Sequence, residues 1–257
     1  MRFYGLLTVL CFVLGLSACS SIGHKFDEER AKRVQKVVVL SFEIQQDQPR
    51  DSLGFTKFTE LKEGRLGDSA EFQNMAQQIY TDLLSQIERK TGWKGVGVAA
   101  LAADKNYQEK VIASTTGLHQ VSMTGNSSVE LINVKTVLNN IAYRKMSFDE
   151  KAKMAREVGA DAFADFVLYE SIDQGSGLSI GNLTGNTPFM FTARSNLTVY
   201  GLDNEDPLWR IQNVDGAKTL RSDSLPPEMG RVARLAKLGK EAAVSSIKTA
   251  VSDYAKN

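Results

Sequence analysis

The stretch Lys36–Ile44, with the sequence KVVVLSFEI, decides the fold class of this chain. Three consecutive valines followed by leucine, phenylalanine and isoleucine form an apolar, β-branched run that predicts a buried strand. The segment Gln45–Gly67 that follows is polar and contains one proline and three glycines. It predicts a long loop, and a long loop in a compact domain often carries function.

Downstream of this loop, Ser69–Lys90 predicts an amphipathic helix. Asp68 is a suitable N-cap, Glu71 lies three residues later as in a capping box, and Gly92 follows as a stop signal. A second strand is predicted over Trp93–Leu101. The apolar residues of the helix recur at helical spacing and form one stripe: Phe72, Met75, Ala76, Ile79, Tyr80, Leu83, Leu84 and Ile87.

The middle of the chain gives a weaker pattern. Asn106–Tyr143 mixes serine, threonine, glycine and asparagine with short apolar runs. We interpret it as strands joined by polar turns, and a helix over Val134–Tyr143 is the alternative. After it, Ser147 and Glu150 match a capping box, and Gly159 stands where a helix ends in a residue with positive φ.

The last hundred residues predict strands joined by turns and a closing helix. Ala162–Glu170 and Pro188–Leu202 are predicted strands, separated by the Gly/Ser/Asn-rich loop Asp173–Asn186. Leu208–Lys218 pairs back as a hairpin, and Pro226-Pro227 opens the terminal helix. The order predicts a single α/β domain with a mixed, partly antiparallel sheet and helices packed on it. The apolar face of the terminal helix is expected to contain Val232, Leu235, Ala236, Ala243, Ile247, Val251 and Tyr254.

The N-terminus has the pattern of a secretory signal. Arg2 supplies the positive charge, and Leu6–Leu16 is an apolar run too short to span a bilayer of about 30 Å. The sequence LSAC that ends at Cys19 resembles the lipobox of bacterial lipoproteins. The resemblance implies removal of residues 1–18 as a signal peptide and acylation of Cys19, with palmitate among its lipids. Several acyl chains would anchor the protein stably.

This resemblance also implies a compartment and a domain organisation. Ser20 follows the cysteine where an aspartate would mark inner-membrane retention, so we expect an outer-membrane lipoprotein on the periplasmic side. Residues 19–34 are polar and are predicted to form a lipidated tether, and residues 35–257 the periplasmic domain. Cys11 leaves with the signal, so the mature chain has no thiol for a disulfide.

Composition excludes several classes of protein. The chain has 257 residues, 42% of them hydrophobic and 24% charged, which is a globular composition. Its 31 Lys+Arg and 30 Asp+Glu residues give a formal net charge of +1, and loss of Arg2 with the signal brings this to zero. Because no basic excess remains to neutralise phosphates, we expect no nucleic-acid binding.

Three short motifs carry a family resemblance. The strand KVVVLSF at 36–42, the junction Gly159-Ala160-Asp161-Ala162, and the hairpin turn Tyr200-Gly201-Leu202-Asp203 with Trp209 resemble a group of envelope lipoproteins. The group includes the curli-secretion channel lipoprotein, the outer-membrane activator of a penicillin-binding protein, and the N-terminal domain of the Tol-system β-propeller protein. These proteins share architecture and not task, so the resemblance implies a fold and a compartment.

The curli-type channel inserts two amphipathic hairpins into the outer membrane, which tests this resemblance further. A spanning strand needs about 9–11 alternating residues with an apolar lipid-facing side. Pro188–Leu202 is long enough and alternates, but the adjoining loop Asp173–Asn186 is polar, and Lys110–Lys135 alternates poorly. We therefore interpret Pro188–Leu202 as a strand with one face on the domain core.

Metal and nucleophile chemistry are not indicated. The two histidines, His24 and His119, lack metal-ligand spacing, and no G-x-S-x-G elbow accompanies them. The glycine-rich stretch 175–181 lacks the spacing of a phosphate-binding loop, so we expect a plain loop. No cofactor or metal is expected. Asp161 and Asp165 share a strand face and could do acid–base work, but an acid at a helix–strand junction commonly bonds backbone amides, which we prefer for Asp161.

Two further features have a structural and a functional interpretation. Trp93 and Trp209 are expected in the core or at its rim, with a protein interface as the alternative. The basic residues of the terminal helix are expected to form a solvated face, with anionic lipid or a partner as the alternative. These basic residues are Arg231, Arg234, Lys237, Lys240, Lys248 and Lys256.

The first functional hypothesis is a non-catalytic lipid-anchored protein that binds another envelope protein as an assembly or regulatory factor. Its candidate contact surfaces are the loops Gln45–Gly67 and Asp173–Asn186 and the stretch 106–143. The second is an oligomeric outer-membrane secretion channel, a homo-oligomer, or its accessory subunit. The third is a hydrolase that uses carboxylates, which would require buried acids in a cleft.

Overall fold

The fold is a mixed sheet with helices on both faces, in a computed structural model that describes residues 24–47, 69–115, 121–122, 128–174, 189–216, 220–221 and 229–253. The strands are β1 (Lys25–Phe26), β2 (Lys36–Asp47), β3 (Lys94–Val96), β4 (Val121–Ser122), β5 (Ser128–Ile132), β6 (Ala162–Gln174), β7 (Phe189–Gly201), β8 (Pro207–Asp215) and β9 (Leu220–Arg221). The helices are α1 (Glu28–Ala31), α2 (Ala70–Thr91), α3 (Val98–Ala103), α4 (Lys105–Thr115), α5 (Asn140–Arg144), α6 (Phe148–Glu157) and α7 (Arg231–Asp253).

The sheet is built around β2. It pairs in parallel with β6, and the strand order across the sheet is β1-β8-β7-β6-β2-β5-β4. β3 pairs with the first residues of β2, and β5 pairs with its last residues. The residues Val37–Leu40 are fully buried, as the apolar run predicts. The α/β class and the mixed, partly antiparallel sheet are therefore confirmed.

Two helices, α2 and α7, cover one face of the sheet. The helix predicted over Ser69–Lys90 is confirmed, and Gly92 ends it with φ 77°. The N-cap is Ser69, whose hydroxyl accepts the N–H of Phe72, and not Asp68 as we expected. Because the cap lies one residue later, Glu71 is not at the capping-box position. The apolar stripe of α7 is buried on the sheet except for the half-buried Val232, and Tyr254 lies outside the described residues. Pro226-Pro227 also lies outside them, and the prediction that the prolines open the helix is wrong, because α7 begins at Arg231.

The other face is covered by α4, α5 and α6. The capping box of α6 is present between Ser147 and Glu150, and Gly159 has φ 75°, both as predicted. The middle of the chain differs from the first interpretation, because 105–115 forms a helix. That helix is held to the sheet by Tyr107, whose hydroxyl donates to Leu40 O at 2.6 Å and accepts the Leu138 N–H at 3.0 Å.

Two other predictions in this region are correct in part. The strand predicted over Trp93–Leu101 is limited to β3, since the helix α3 begins at Val98. The alternative helix over Val134–Tyr143 is limited to α5, which begins at Asn140 with Asn139 as its N-cap. β4 and β5 form an antiparallel pair, as the strand interpretation expects.

The long strand β7 lies inside the sheet, between β6 and β8. One of its faces carries Phe191, Ala193, Leu197 and Val199, each at most 3% exposed. This face packs toward α7. The interpretation of Pro188–Leu202 as a strand with one face on the core is confirmed, and Leu208–Lys218 pairs back on it as β8, which ends at Asp215.

The predicted tether needs a correction. From Lys25 onward the chain packs on the domain, because β1 pairs antiparallel with β8 and the Asp27 N–H donates to Leu208 O at 2.7 Å. α1 follows directly, and Arg30 Nη2 lies 3.1 Å from Asp203 Oδ1. The polar composition of this segment reflects exposed side chains on an edge strand and a short helix. No helix within the described ranges is long and apolar enough to cross a membrane.

Candidate interaction surface and buried polar groups

The roots of the two long loops lie at the same end of the sheet. β2 ends at Asp47 and β6 ends at Gln174, and the two strands run in parallel. β7 begins beside them, with Phe189 opposite Gln174. We call this edge, defined by Asp47, Gln174 and Phe189, the loop-bearing end. The rest of both loops, residues 48–67 and 175–186, lies outside the described residues.

The N-terminal strand is attached far from this end. Lys25 is paired with Arg210 of β8, and Arg210 is in turn opposite Thr198 of β7. Along β7, Thr198 and Phe189 are separated by about 30 Å at roughly 3.4 Å per residue. Cys19 lies outside the described residues, upstream of β1. β1, which follows Cys19 in the chain, is therefore attached to the sheet far from the strand ends that carry the two loops.

The two candidate carboxylates have different environments. Asp161 Oδ2 accepts the backbone N–H groups of Gln35 and Lys36 at 3.1 and 2.9 Å. The acid therefore ties the helix–strand junction to the start of β2, and its predicted structural role is confirmed. Asp165 is half-buried on β6, opposite Ser41 on one side and Thr198 on the other.

The environment of Asp165 shifts its pKa toward neutral. Burial raises its pKa to about 6, while the positive charges of Lys151, Arg144 and Arg210 act in the opposite direction. Lys151 Nζ lies 4.2 Å from the centre of the Tyr143 ring, and burial lowers the pKa of this amine. A carboxyl with a pKa near neutral can exchange a proton at physiological pH.

Glu43 is a buried acid that the sequence reasoning missed. It is fully buried and shares the sheet face of Asp165, where its carboxylate accepts the Asn140 N–H at 3.0 Å and Gln45 Nε2 at 2.7 Å. Burial raises its pKa, and these two hydrogen bonds oppose the rise. Its place inside the run KVVVLSFEI was the available signal, because a carboxylate inside a buried strand needs a partner.

The hydrolase hypothesis requires these acids to face a cleft. Glu43 is instead covered by the first turn of α5, through its bond to Asn140. One cleft between described residues lies elsewhere, between α4 and α6, with a volume of about 430 Å³. Its lining includes Asn106, Glu109, Met154 and the ion pair Lys110–Glu150 at 3.2 Å. The buried acids and this cleft therefore do not form one site.

Both tryptophans are in the core, as the structural interpretation expects. Trp93 is 3% exposed and its Nε1 donates to Ala31 O at 3.1 Å. Trp209 is fully buried and makes edge-to-face contacts with Phe26 and Trp93. Neither side chain is available to anchor an interface in this conformation. The ring contacts instead fix β1 and the start of β3 to β8.

The basic residues of α7 form a partly solvated face. Lys237 and Lys248 are exposed, as expected, and Lys240 Nζ lies 4.0 Å from Asp82 Oδ2 of α2. Lys256, His119 and the glycine-rich stretch 175–181 lie outside the described residues. Across the parts that the structure describes, no group of three or more His, Cys, Asp or Glu side chains is placed to hold a metal ion.

Comparison with known proteins gives no relative: no family model, no curated protein and no solved structure matches this chain.

Proposed function

We propose that this chain is a non-catalytic, lipid-anchored protein of the outer membrane whose periplasmic domain binds another envelope protein as an assembly or regulatory factor. The sequence support is the charged start, the short apolar run and the LSAC motif ending at Cys19. The resemblance of three short motifs to envelope lipoproteins points to the same compartment.

The observation that carries the proposal is the placement of the loop roots. Asp47 and Gln174 end parallel strands at one end of a rigid sheet, and β1 joins the sheet about 30 Å from that end. A lipid-anchored binding protein needs this arrangement, since its contact loops must reach a partner while its N-terminus stays at the membrane. Loops held together by a rigid scaffold are typical binding surfaces.

Lipidation is tested by metabolic labelling with a palmitate analogue. We expect label on the wild-type chain and on Cys11→Ser, and none on Cys19→Ser, because only Cys19 follows the small-residue motif. Cys11→Ser is the matched control, since it removes the other cysteine of the chain and leaves Cys19 in place. Label that persists in Cys19→Ser would contradict the anchor.

The binding surface is tested by a photo-crosslinking residue at Asp47 or Gln174, with Asn204 as the matched position. Asn204 is exposed in the turn between β7 and β8, at the opposite end of the sheet. We expect a discrete adduct with one envelope protein from the first two positions only. Adducts from Asn204 of equal yield would contradict the proposed surface.

The oligomeric state separates this function from the channel. Residues 20–257, expressed without the signal, should be a soluble monomer or dimer by light scattering in plain buffer. A ring of many subunits that requires detergent would overturn the binding function and favour the secretion channel.

A further inference from the structure

Within the described part of the chain, Glu170 of β6 is a buried acid that has no hydrogen-bond partner. Its side chain is 1% exposed, and neither carboxylate oxygen has a hydrogen-bond partner. It lies on the sheet face covered by α2 and α7, opposite to the face of Asp165. Leaving a buried polar group unpaired is costly, so such a group in a folded protein calls for an explanation.

The carboxyl group fits into a notch in α7. A Cβ atom placed on Gly239 would lie 3.1 Å from Glu170 Oε2, 3.3 Å from Oε1 and 3.0 Å from Met75 Sδ of α2. The glycine therefore lets the helix approach the carboxyl closely, and the two helices close over it. Glycine inside a helix is unfavourable by about 1 kcal/mol relative to alanine, so close approach is its evident role here.

A second unpaired group stands next to Glu170. Gln46 of β2 is directly opposite it in the parallel register, so both side chains lie on the same face. Gln46 is fully buried, and its amide nitrogen and oxygen also lack partners. The junction of β2, β6, α2 and α7 therefore encloses a small polar region, one residue before Asp47 on β2 and four residues before Gln174 on β6.

Among the residues that the structure describes, none places a charge that compensates Glu170. On the two helices, Asp82 and Lys240 form a pair with Oδ2–Nζ 4.0 Å, and Arg234 has its Nε buried without a partner. β2 and β7 contribute Gln46 and Ala193 at this level, and neither carries a charge. Burial alone raises the pKa of Glu170 to about 8, with no opposing charge or hydrogen bond.

We propose that Glu170 is a proton-dependent clasp, in which the protonated carboxyl lets α7 close on the sheet at Gly239 and loss of the proton releases α7. The closed clasp holds one proton. When α7 lifts, the carboxyl meets water and releases that proton at any pH above its ordinary range. Rising pH therefore favours the open form, and acid pH tightens the clasp.

The expected size of the effect follows from proton linkage. Between the ordinary pKa of 4.5 and the raised pKa of about 8, each pH unit increases the opening constant by up to about tenfold. This range includes the external pH values that an envelope protein meets. Because Gln46, which faces Glu170, is next to Asp47, opening the clasp would alter the support of the loop that follows β2.

The test is hydrogen exchange of the full-length chain at pH 5.5 and 7.5, with rates corrected for intrinsic exchange. We expect the protection of α7 amides to fall by up to about 100-fold across this range. Amides of α6, on the other face, that exchange by local opening serve as the internal reference and should keep their protection. In Glu170→Gln the fall should disappear, because the amide cannot ionise.

Two further variants make the test decisive. Glu241→Gln makes the same chemical change at an exposed position of α7 and should behave as the wild type. Glu170→Met replaces the carboxyl group with an apolar side chain that cannot ionise. This variant is used in place of Glu170→Gln if the glutamine variant folds poorly. An unchanged fall in the Glu170 variants, or an equal fall in α6, would overturn the clasp. Both outcomes are independent of the proposed function.

Discussion

On the face covered by α4, α5 and α6, the acids have partners: the buried Glu43 accepts the Asn140 N–H, and the half-buried Asp165 lies near three positive charges. On the face covered by α2 and α7, Glu170 is as deeply buried as Glu43, and its carboxylate oxygens have no hydrogen-bond partner. The same central strands carry both arrangements. On the first face Glu43 holds the start of α5, whereas the second face keeps an acid whose raised pKa depends on the packing of α2 and α7.

The largest expected effect is on the pH dependence of unfolding. The folded chain holds protons that the unfolded chain has released, so its stability falls as pH rises through the interval between the two pKa values. For Glu170 this interval runs from 4.5 to about 8, with a loss of up to about 1.4 kcal/mol per pH unit. For Asp165 it runs only from 3.8 to about 6.

Urea unfolding from pH 4 to 8.5 separates the two acids. Glu170→Gln should remove the slope between pH 6 and 8, and Asp165→Asn should leave it intact. If Asp165→Asn removed the slope above pH 6, then Asp165 and not Glu170 would cause the pH dependence of stability in that range, which would contradict the comparison.

A pair of methionine substitutions should give opposite signs at pH 7. Glu170→Met removes the cost of keeping the carboxyl protonated and should raise the free energy of unfolding by up to about 3 kcal/mol. Glu43→Met leaves the buried Asn140 N–H unpaired and should lower it by about 1–3 kcal/mol. Chemical denaturation measures the free energy of unfolding of both variants. Changes of the same sign would contradict the proposed difference between the two faces.

Two tyrosines sharpen the comparison within one face. Tyr107→Phe leaves Leu40 O and the Leu138 N–H without a partner and should cost about 1–3 kcal/mol. The Tyr143 hydroxyl is buried and has no hydrogen-bond partner, so Tyr143→Phe should change stability by less than about 0.5 kcal/mol. Thermal unfolding of the two variants provides the measurement. Equal losses would mean that the Tyr143 hydroxyl has a role that its contacts do not reveal.

A further modest effect is expected at the notch in α7 that receives Glu170. Gly239→Ala places a methyl group 3.0–3.3 Å from Met75 Sδ and the Glu170 oxygens, and the alanine's helix preference of about 1 kcal/mol offsets much of this crowding. We expect a net loss of about 1 kcal/mol by denaturation. In a Glu170→Ala background the same change should become stabilising, since the carboxyl is gone. A stabilising Gly239→Ala in the wild type would argue against the close approach.

The sequence predicts the elements that satisfy their own local rules. The valine-rich β2, the capping box of α6 and the alternation of β7 each combine a period with a boundary signal, and all three are confirmed. We did not predict α4 because its helical pattern is weak. The helix is held in place by the hydrogen bonds of Tyr107 to Leu40 and Leu138, which are distant in sequence and therefore leave no local pattern. β1 was missed because its partner, Arg210, is far along the chain.

The buried acids show a second limit. Glu170 closes the predicted strand Ala162–Glu170, where a charged residue looks like the exposed end of a strand. Only the continuation of β6 to Gln174 and the packing of α7 bury it. Gly239, inside an otherwise good helix pattern, was the one local signal, since a helix has little reason to contain glycine unless something approaches it closely.

The central position of β2 also sets an order of folding. β6, β7 and β8 are consecutive antiparallel neighbours and can form early from local contacts. β2 is joined to this group across a separation of 125 residues, through the Lys36 N–H and Asp161, and Arg30 is joined to Asp206 across 176. A chain that emerges N-terminus first therefore displays its most apolar strand well before the partner that buries it exists. Until β6 has emerged, β2 is an apolar strand without its central partner, which is the kind of segment that is prone to aggregate.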